Sequence, residues 1–356
     1  MTSIRNYIEN STPENPINVE LIRQLARRSL EVDVDRAYSW LVLFQIFPSC
    51  FIEWPLKLST MSDEYWGFVN DFGVKDWDKQ ILPSKFQQED FKVPHPETML
   101  MIHSDVTRTG HQLFFLPDGR IPGSQLQESS PGEDKLFYIQ GHIRRIERIL
   151  YIFAMLNHGL NYIQGFNELV SPFYILLTKT KQLWNNDFYF VEGLCFHMFQ
   201  RLISTTSIND FCSIQDKTIV IHQLAPFLSL QKKYVPVAAD IISTLKIHPL
   251  FYCVRWFSLL FSQEYELPNL FALWDCLFSH FDHLMDYVFF VGLGHLKYVE
   301  PRMSPTDYAK TITALKEMDV GDNLAEVIGY ANAFWNTEHK TKQNSVSTFI
   351  KNMLPW

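Results

Sequence analysis

Along most of the chain, apolar residues recur every three or four positions rather than every two. In the clearest block, arginine and glutamate fill the gaps between five apolar residues. These are Ile143, Ile146, Leu150, Phe153 and Leu156. Such a period places apolar side chains on one face of an α-helix. Comparable blocks lie at about 187–204, 217–230, 236–246, 250–262, 269–279, 283–297 and 305–316. The pattern predicts an all-α fold, because no strand-turn-strand run or internal repeat interrupts it.

The breaks in this pattern predict how the chain is organised. Residues 1–16 are polar and contain two prolines, so we expect a flexible N-terminal arm. Residues 117–134 are rich in Pro, Gly and Ser and hold no apolar cluster, which is typical of a surface loop insertion. Pro172 interrupts an apolar segment and predicts a kink or a restart of the helix. Residues 336–356 are predicted to form a C-terminal tail.

Composition supports packed helices and argues against some classes of function. The 356 residues include 29 Phe but only 14 Gly, and hydrophobic residues make up 47%, which is typical of a globular chain. A net charge of −8 argues against bulk nucleic-acid binding, which needs a basic face. The five cysteines are scattered and form no C-x-x-C, as in a cytoplasmic protein with reduced thiols. No apolar run approaches the ~20 residues of a membrane span, so we expect no transmembrane segment.

Several motifs of self-contained enzymes are absent. The chain has no G-x-x-x-x-G-K-[ST], no G-x-S-x-G, no H-E-x-x-H and no kinase H-R-D set. We therefore expect no nucleotide held by a P-loop and no catalytic centre of these classes. His280 and His283 lie near Asp282 and Asp286, but no Cys/His set at zinc-ligand spacing supports them. We interpret this group as a solvated helix turn and predict no metal site.

Three segments carry more specific patterns. Residues 102–115 read IHSDVTRTGHQLFF, and residues 162–169 read YIQGFNEL. Residues 255–275 begin RWFSLLFSQEY and end LWD. In this order they resemble the TBC family of Rab GTPase-activating proteins. The family's motifs are I-x-x-D-x-x-R-T, Y-x-Q-G-M-N, and R-W-x-x-x-L-F followed by W-D. Each pattern alone is weak, and the specificity comes from their common order.

The resemblance covers roughly residues 20–300 and implies a bilobal helical domain over residues 17–335. It places an N-terminal subdomain at about 17–182, which carries both catalytic fingers in a groove, and a C-terminal subdomain at about 183–335. The implied partner is a GTP-bound, Rab-type small GTPase in vesicle trafficking. The chain is then not an enzyme by itself, and Mg²⁺ and GTP belong to the partner. The implied location is cytoplasmic, with peripheral endomembrane contact through that partner.

The resemblance assigns an arginine finger to Arg108 and a glutamine finger to Gln164. GTP hydrolysis builds negative charge on phosphate oxygens, and an arginine supplied in trans stabilises that charge. A glutamine amide can accept a hydrogen bond from the attacking water and donate one to a phosphate oxygen. The resemblance implies that Gln164 orients this water in place of the GTPase's own glutamine.

Supporting residues complete the predicted site. They are Asp105, Tyr162, Gly165, Asn167 and Arg148. Asp105 lies three residues before Arg108, so on a helix it either holds the guanidinium or serves as a helix cap. Tyr162 and Asn167 flank the glutamine and are expected to fix its turn. Arg148 precedes that turn and is expected to join the same polar cluster.

This sequence departs from the family pattern at turns. The usual G-I-P is missing from the region that precedes Trp40. His158 replaces a usual Pro, Asn161 a usual Gly and Phe166 a usual Met. These changes concern turns and packing, and they leave both finger residues in place.

Three hypotheses follow. The first is a competent GTPase activator, favoured because both fingers are present. The second is a catalytically silent effector or scaffold of the same fold, which binds a small GTPase or another partner. The third is an unrelated helical adaptor, which predicts no clustering of Arg108 and Gln164 on one surface.

Overall fold

The structure of the chain is a computed structural model that describes residues 3–82, 87–117, 119–124, 136–211, 217–317 and 323–353. These residues form α-helices and short 3-10 turns and contain no strand, so the predicted all-α fold is confirmed. The helices are α1 (Ile4–Glu9), α2 (Val19–Ala26), α3 (Asp33–Leu43), α4 (Trp54–Asp71), α5 (Pro96–Thr109), α6 (Gln140–Leu156), α7 (Phe166–Lys179), α8 (Phe188–Thr205), α9 (Lys217–Tyr234), α10 (Pro236–Thr244), α11 (Cys253–Ser258), α12 (Asn269–Phe278), α13 (Leu284–Val299), α14 (Tyr308–Lys316) and α15 (Leu324–Met353).

The chain divides into two compact units. Met1–Thr205 contains α1 to α8, and Thr206–Trp356 contains α9 to α15. This division falls after α8, whereas the boundary drawn from the sequence at about residue 182 falls before it. The difference arises because α8 packs against α4 and α7 of the first unit. Fully buried apolar residues of α8, such as Phe199, make that contact stable.

Helices α6 and α7 form the centre of the first unit, and nearly every residue of both is buried. Phe166 of α7 meets Phe153 of α6 edge-on, with ring centroids 5.7 Å apart. The same ring lies 5.3 Å from Phe199 of α8. Helices buried this completely are surrounded by other elements, and this holds for α6 even though arginine and glutamate lie between its apolar positions. The helix predicted from Ile143 to Leu156 is confirmed within α6.

The apolar segment that Pro172 interrupts forms helix α7, which runs without a break. It begins at Phe166 and continues through Pro172 to Lys179. The helix does not restart at Pro172, because its buried surroundings outweigh the loss of one backbone hydrogen bond. The residues from Tyr162 to Gly165 therefore precede the helix instead of belonging to it.

The predicted flexible N-terminal arm is wrong for the residues that the structure describes there. Ile4 and Ile8 lie one turn apart on α1, and both are buried where α1 packs on α3. The hydroxyl of Tyr38 on α3 donates a hydrogen bond of 3.0 Å to Oε1 of Glu9. The apolar i, i+4 pair inside a polar segment explains why this short helix docks.

In the second unit, α15 packs along α13. The Trp335 ring contacts Tyr287 and Phe290 of α13, with centroids 5.3 Å apart in both pairs. Because α15 continues to Met353, the predicted tail of residues 336–356 begins inside a helix. Its residues 354–356 lie outside the described part of the chain.

Three further predictions concern the loop insertion, a metal site and a membrane span. Most of the predicted loop insertion at residues 117–134 lies outside the described residues. Within the described ranges, no group of three or more His, Cys, Asp or Glu side chains is placed to hold a metal ion. None of the helices described combines the length and apolar character needed to cross a bilayer.

Candidate functional site

Arg108 lies in the last turn of α5, on its exposed face. Pro96 starts this helix, since its fixed φ suits a first turn, and the opposite face buries Met99, Ile102 and Val106. The Arg108 side chain is 63% exposed. A cation near a helix C-terminus is also favoured by the helix dipole. The helix therefore presents its guanidinium to solvent.

Asp105 holds that guanidinium from one turn earlier. Its carboxylate Oδ1 accepts a hydrogen bond from Nη2 of Arg108, and its side chain is only 5% exposed. The second carboxylate oxygen, Oδ2, accepts a hydrogen bond of 2.9 Å from the hydroxyl of Tyr162. Asp105 lies inside α5, whose N-cap is His95. Of the two roles left open for Asp105, the structure thus places it as a partner of Arg108.

Gln164 is exposed in a tight turn just before α7. The amide of Phe166 donates to the carbonyl of Ile163 at 3.1 Å and closes this turn. Gly165 has a φ of 103° and a ψ of −12°, whereas Gln164 is not among the positive-φ residues. This combination is a type II turn, which favours glycine at its third position because a side chain would be strained there. Gly165 therefore specifies the turn that carries the glutamine.

Four residues connect this turn to the end of α5, and we call them the support cluster: Asp105, Thr109, Tyr162 and Asn167. Besides the bond from Tyr162 to Asp105, the amide Nδ2 of Asn167 donates to the backbone carbonyl of Asp105 at 3.3 Å. The same amide lies 2.9 Å from Oγ1 of Thr109. Asn167 and Asp105 are buried, so these bonds are formed away from water.

The electrostatics of the cluster keep Tyr162 in its hydrogen-bond donor form. Burial of the phenol raises the pKa of Tyr162 above its ordinary value, and the negative charge of Asp105 raises it further. The phenol is therefore protonated at neutral pH. Asp105 accepts from this phenol and from Arg108, which leaves its carboxylate compensated in a buried position.

The structure therefore brings together all of the predicted site residues except one. Arg108 and Gln164 are both exposed, and each adjoins residues of the same support cluster. The hypothesis of an unrelated adaptor does not predict this arrangement.

Arg148 is the exception, because its hydrogen bonds go to a different set of residues. Its Nε and Nη2 bind the carboxylate of Glu192 at 2.9 and 2.7 Å, and its Nη1 binds Oδ1 of Asp78 at 2.9 Å. The guanidinium also lies over the ring of Trp66, 4.7 Å from the centroid. Burial is the largest single influence and would lower the pKa of Arg148, but the charge and hydrogen bonds of Glu192, together with the charge of Asp78 and the phenol of Tyr65, raise it overall. The described contacts make Arg148 part of a buried ion-pair cluster in the first unit.

Two features were missed from the sequence. Thr109 joins the support cluster, and the T of the motif I-x-x-D-x-x-R-T was the available signal. In addition, Nε2 of Gln112 donates to Oε2 of Glu168 at 2.9 Å, which forms a second link between the segment after Arg108 and the start of α7. Both links need the three-dimensional approach of α5 to α7, which spacing alone does not provide.

Comparison with known proteins shows the family to which the chain belongs. A sequence model of the Rab-GTPase-TBC domain matches residues 70–303. This is more than half of the chain. The chain belongs to the Rab-GTPase-TBC domain family. The match includes all of the predicted site residues, from Asp105 to Asn167.

Three curated relatives are similar to the chain over part of their own length. A TBC domain-containing protein of Schizosaccharomyces pombe is 35% identical over 154 residues, 43% of this chain and 24% of that protein. Human TBC1 domain family member 13 is 29% identical over 186 residues, 51% of this chain and 45% of the relative. The GTPase-activating protein GYP7 of Saccharomyces cerevisiae is 22% identical over 282 residues, 74% of this chain and 35% of the relative. The matched regions thus span less than half of these proteins.

A solved structure shares the fold of this TBC-domain chain. The crystal structure of the Ypt/Rab-GAP domain of Gyp1p superposes with a TM-score of 0.68 and covers 95% of this chain and all of that one. The two are 17% identical, so this likeness concerns the fold alone. The predicted TBC-type helical fold is thereby confirmed.

Proposed function

We propose that the chain activates GTP hydrolysis on a GTP-bound, Rab-type small GTPase by supplying Arg108 and Gln164 in trans. The observation that carries this proposal is the joint placement of the two residues. Both are exposed, and both are tied to one buried support cluster in a chain of the Rab-GTPase-TBC family. The relatives include a protein named as a GTPase-activating protein, GYP7.

The chemistry of Arg108 suits the transition state of phosphoryl transfer. Negative charge is spread over the phosphate oxygens as the terminal phosphate separates from the diphosphate. A guanidinium is permanently charged and presents a planar fork of donors to such oxygens. Because Asp105 already holds Arg108, less side-chain freedom is lost when the GTPase binds. The helix end thus offers a pre-oriented cation.

The second role, positioning the attacking water, belongs to Gln164. Its amide oxygen can accept a hydrogen bond from the attacking water, while its NH₂ group can donate one to a phosphate oxygen. The type II turn places this side chain on rigid backbone between Ile163 and Phe166. Holding a water in the attacking geometry lowers the entropic part of the barrier. The chain itself contributes no nucleotide or metal, which belong to the GTPase.

The direct test is phosphate release from a panel of GTP-loaded Rab proteins, with and without this chain. Strong stimulation of at least one member is expected, at catalytic amounts of the chain. Binding to a GTP-loaded Rab without stimulation would instead support the silent-effector hypothesis. The location proposed for the chain, cytoplasmic with peripheral endomembrane contact through the Rab, is tested by imaging it with and without that Rab.

Replacing Gln164 with alanine is expected to lower the stimulated rate about a hundredfold, which is typical when one positioned polar contact to a transition state is lost. The turn is expected to persist, because Gly165 and the bond between Ile163 and Phe166 are unchanged. Single-turnover phosphate release measures the effect. Gln24→Ala is the matched control, because Gln24 is an exposed glutamine of α2 away from the cluster. Equal rates for the two variants would remove Gln164 from the mechanism.

Phe115 is expected to contribute to binding of the GTPase rather than to hydrolysis. It follows Arg108 by seven residues, and 70% of its surface is exposed. Exposed aromatic residues beside a functional site are often anchors of an interface. Phe115→Ala should raise KM for the Rab about tenfold and leave kcat nearly unchanged. Phe251→Ala, which removes a phenyl group that is 57% exposed in the second unit, is the control and should change neither constant.

A further inference from the structure

Thr109 is the residue that directly follows Arg108, and its hydroxyl has contacts on two elements. Its Oγ1 lies 3.3 Å from the carbonyl oxygens of both Asp105 and Val106, within α5. The same oxygen lies 2.9 Å from Nδ2 of Asn167, at the start of α7. Thr109 therefore connects the helix of the arginine finger to the helix that follows the glutamine turn.

The direction of each hydrogen bond follows from the chemistry of the groups. An amide NH₂ can only donate, so Asn167 donates and Thr109 accepts. The hydroxyl proton of Thr109 is then directed to a carbonyl of α5, which can only accept. The hydroxyl thus donates and accepts at once, which an aliphatic side chain of the same shape cannot do.

The support cluster holds each finger from both sides along the chain. Before the fingers, Tyr162 is bonded to Asp105 at 2.9 Å. After the fingers, Asn167 is bonded to Thr109 at 2.9 Å. Arg108 lies between Asp105 and Thr109 in sequence, and the glutamine lies between Tyr162 and Asn167. One link on each side of the two finger residues restricts their relative displacement more than a single link would.

We propose that Thr109 is a positioning residue that fixes the placement of Arg108 relative to Gln164. It touches neither phosphate nor water and acts through Asn167 and the last turn of α5. This inference rests on the proposed function, since the placement matters for catalysis only if both fingers enter one active site. A displacement of about 1 Å at a reacting centre costs up to about a hundredfold in rate.

The chain offers a matched control on the same helix. Thr107 is also half-buried, and its Oγ1 lies 2.7 Å from the carbonyl of His103 and 3.3 Å from that of Ser104. The hydrogen bonds described for Thr107 thus remain within α5. Replacing either threonine with valine removes the same hydroxyl and its bond within the helix. Only the change at Thr109 also removes the closer of the two acceptors of Asn167, and the carbonyl of Asp105 at 3.3 Å remains.

Kinetics on a responsive Rab give the first readout. Thr109→Val is expected to lower kcat about ten- to a hundredfold with little change in KM, whereas Thr107→Val keeps both constants. Thr109→Ser should restore kcat because it returns the hydroxyl. In a Gln164→Ala background, Thr109→Val should cost much less, because the relative placement of two fingers no longer matters. Equal kcat for Thr109→Val and Thr107→Val, with unchanged unfolding temperatures, would overturn the inference.

A second readout does not depend on any GTPase. Nitroxide labels on Arg108→Cys and Gln164→Cys, with Cys212→Ser, report the spread of distances between the two positions by electron paramagnetic resonance. Four native cysteines are buried and so are protected from labelling: Cys50, Cys195, Cys253 and Cys276. Thr109→Val should broaden the distance distribution, and Thr107→Val should not. If no Rab is stimulated, the proposed function fails, while an unchanged distribution with Thr109→Val refutes the positioning role separately.

Discussion

Replacing Arg108 with alanine is expected to reduce the stimulated rate of GTP hydrolysis by about 10³–10⁵, the range for a trans-acting arginine in phosphoryl transfer. The loss follows because no other permanent cation is held at this point by the support cluster. Binding of the GTP-loaded Rab should be affected far less than the rate, since the interaction is strongest in the transition state. Single-turnover phosphate release and a separate binding titration measure the two effects.

Two further variants make this prediction specific to the geometry of the guanidinium. Arg108→Lys keeps a positive charge but loses the planar fork, so most of the stimulation should still be lost. Arg5→Ala is the control, because Arg5 is an exposed arginine in a helical ion pair, bonded to Glu9 at 2.8 Å. Stimulation that survives in Arg108→Ala at the level of Arg5→Ala would exclude an arginine-finger mechanism.

Replacing Arg148 with methionine is expected to lower the free energy of unfolding by ~3–5 kcal/mol, the usual cost of removing one partner of a buried ion pair. The Arg148 and Glu192 side chains are each only 1% exposed. After the change, Glu192 keeps the hydroxyl of Tyr65 at 3.1 Å and Nε of Arg145 at 3.6 Å, but it loses both close bonds from the Arg148 guanidinium. Urea denaturation followed by circular dichroism measures the loss.

Urea denaturation also distinguishes two causes of the loss of stability, a buried charge that has lost its partner and lost packing of the Arg148 side chain. If the loss of the Arg148 charge beside the buried carboxylate is the cause, adding Glu192→Gln to Arg148→Met should recover part of the stability, so the two changes are not additive. Arg5→Met, at an exposed pair that solvent screens, should have almost no effect. A double variant that loses at least as much unfolding free energy as the two single variants together would point to packing of the Arg148 stem instead.

The sequence predicted the helices and the local surroundings of Arg108 and Gln164 well because both depend on local pattern. The period of α6 follows from its apolar residues, and Asp105 lies one turn before Arg108 on any helix. Gly165 between the glutamine and an apolar run likewise indicates a turn before a helix. Such features need only neighbours within a few residues.

What the sequence did not provide are contacts between elements that are distant along the chain. Arg148 was placed in the finger cluster because it precedes Gln164, but its partners lie at Asp78 and Glu192 on other segments. On a helix, successive residues point in different directions, so proximity along the chain does not decide which cluster a side chain joins. Thr109 was missed for the same reason, since only the approach of α5 to α7 gives its hydroxyl a partner outside its own helix.

The docked N-terminal helix α1 lies outside the region that the family model matches. The family model starts at residue 70, yet Ile8 is already fully buried and Tyr65 donates to Glu192 on α8. A fragment cut to the matched region would expose the surfaces of α8 that α4 now covers. The region that the family model matches and the cooperative folding unit therefore have different borders, and the folding unit is the larger of the two.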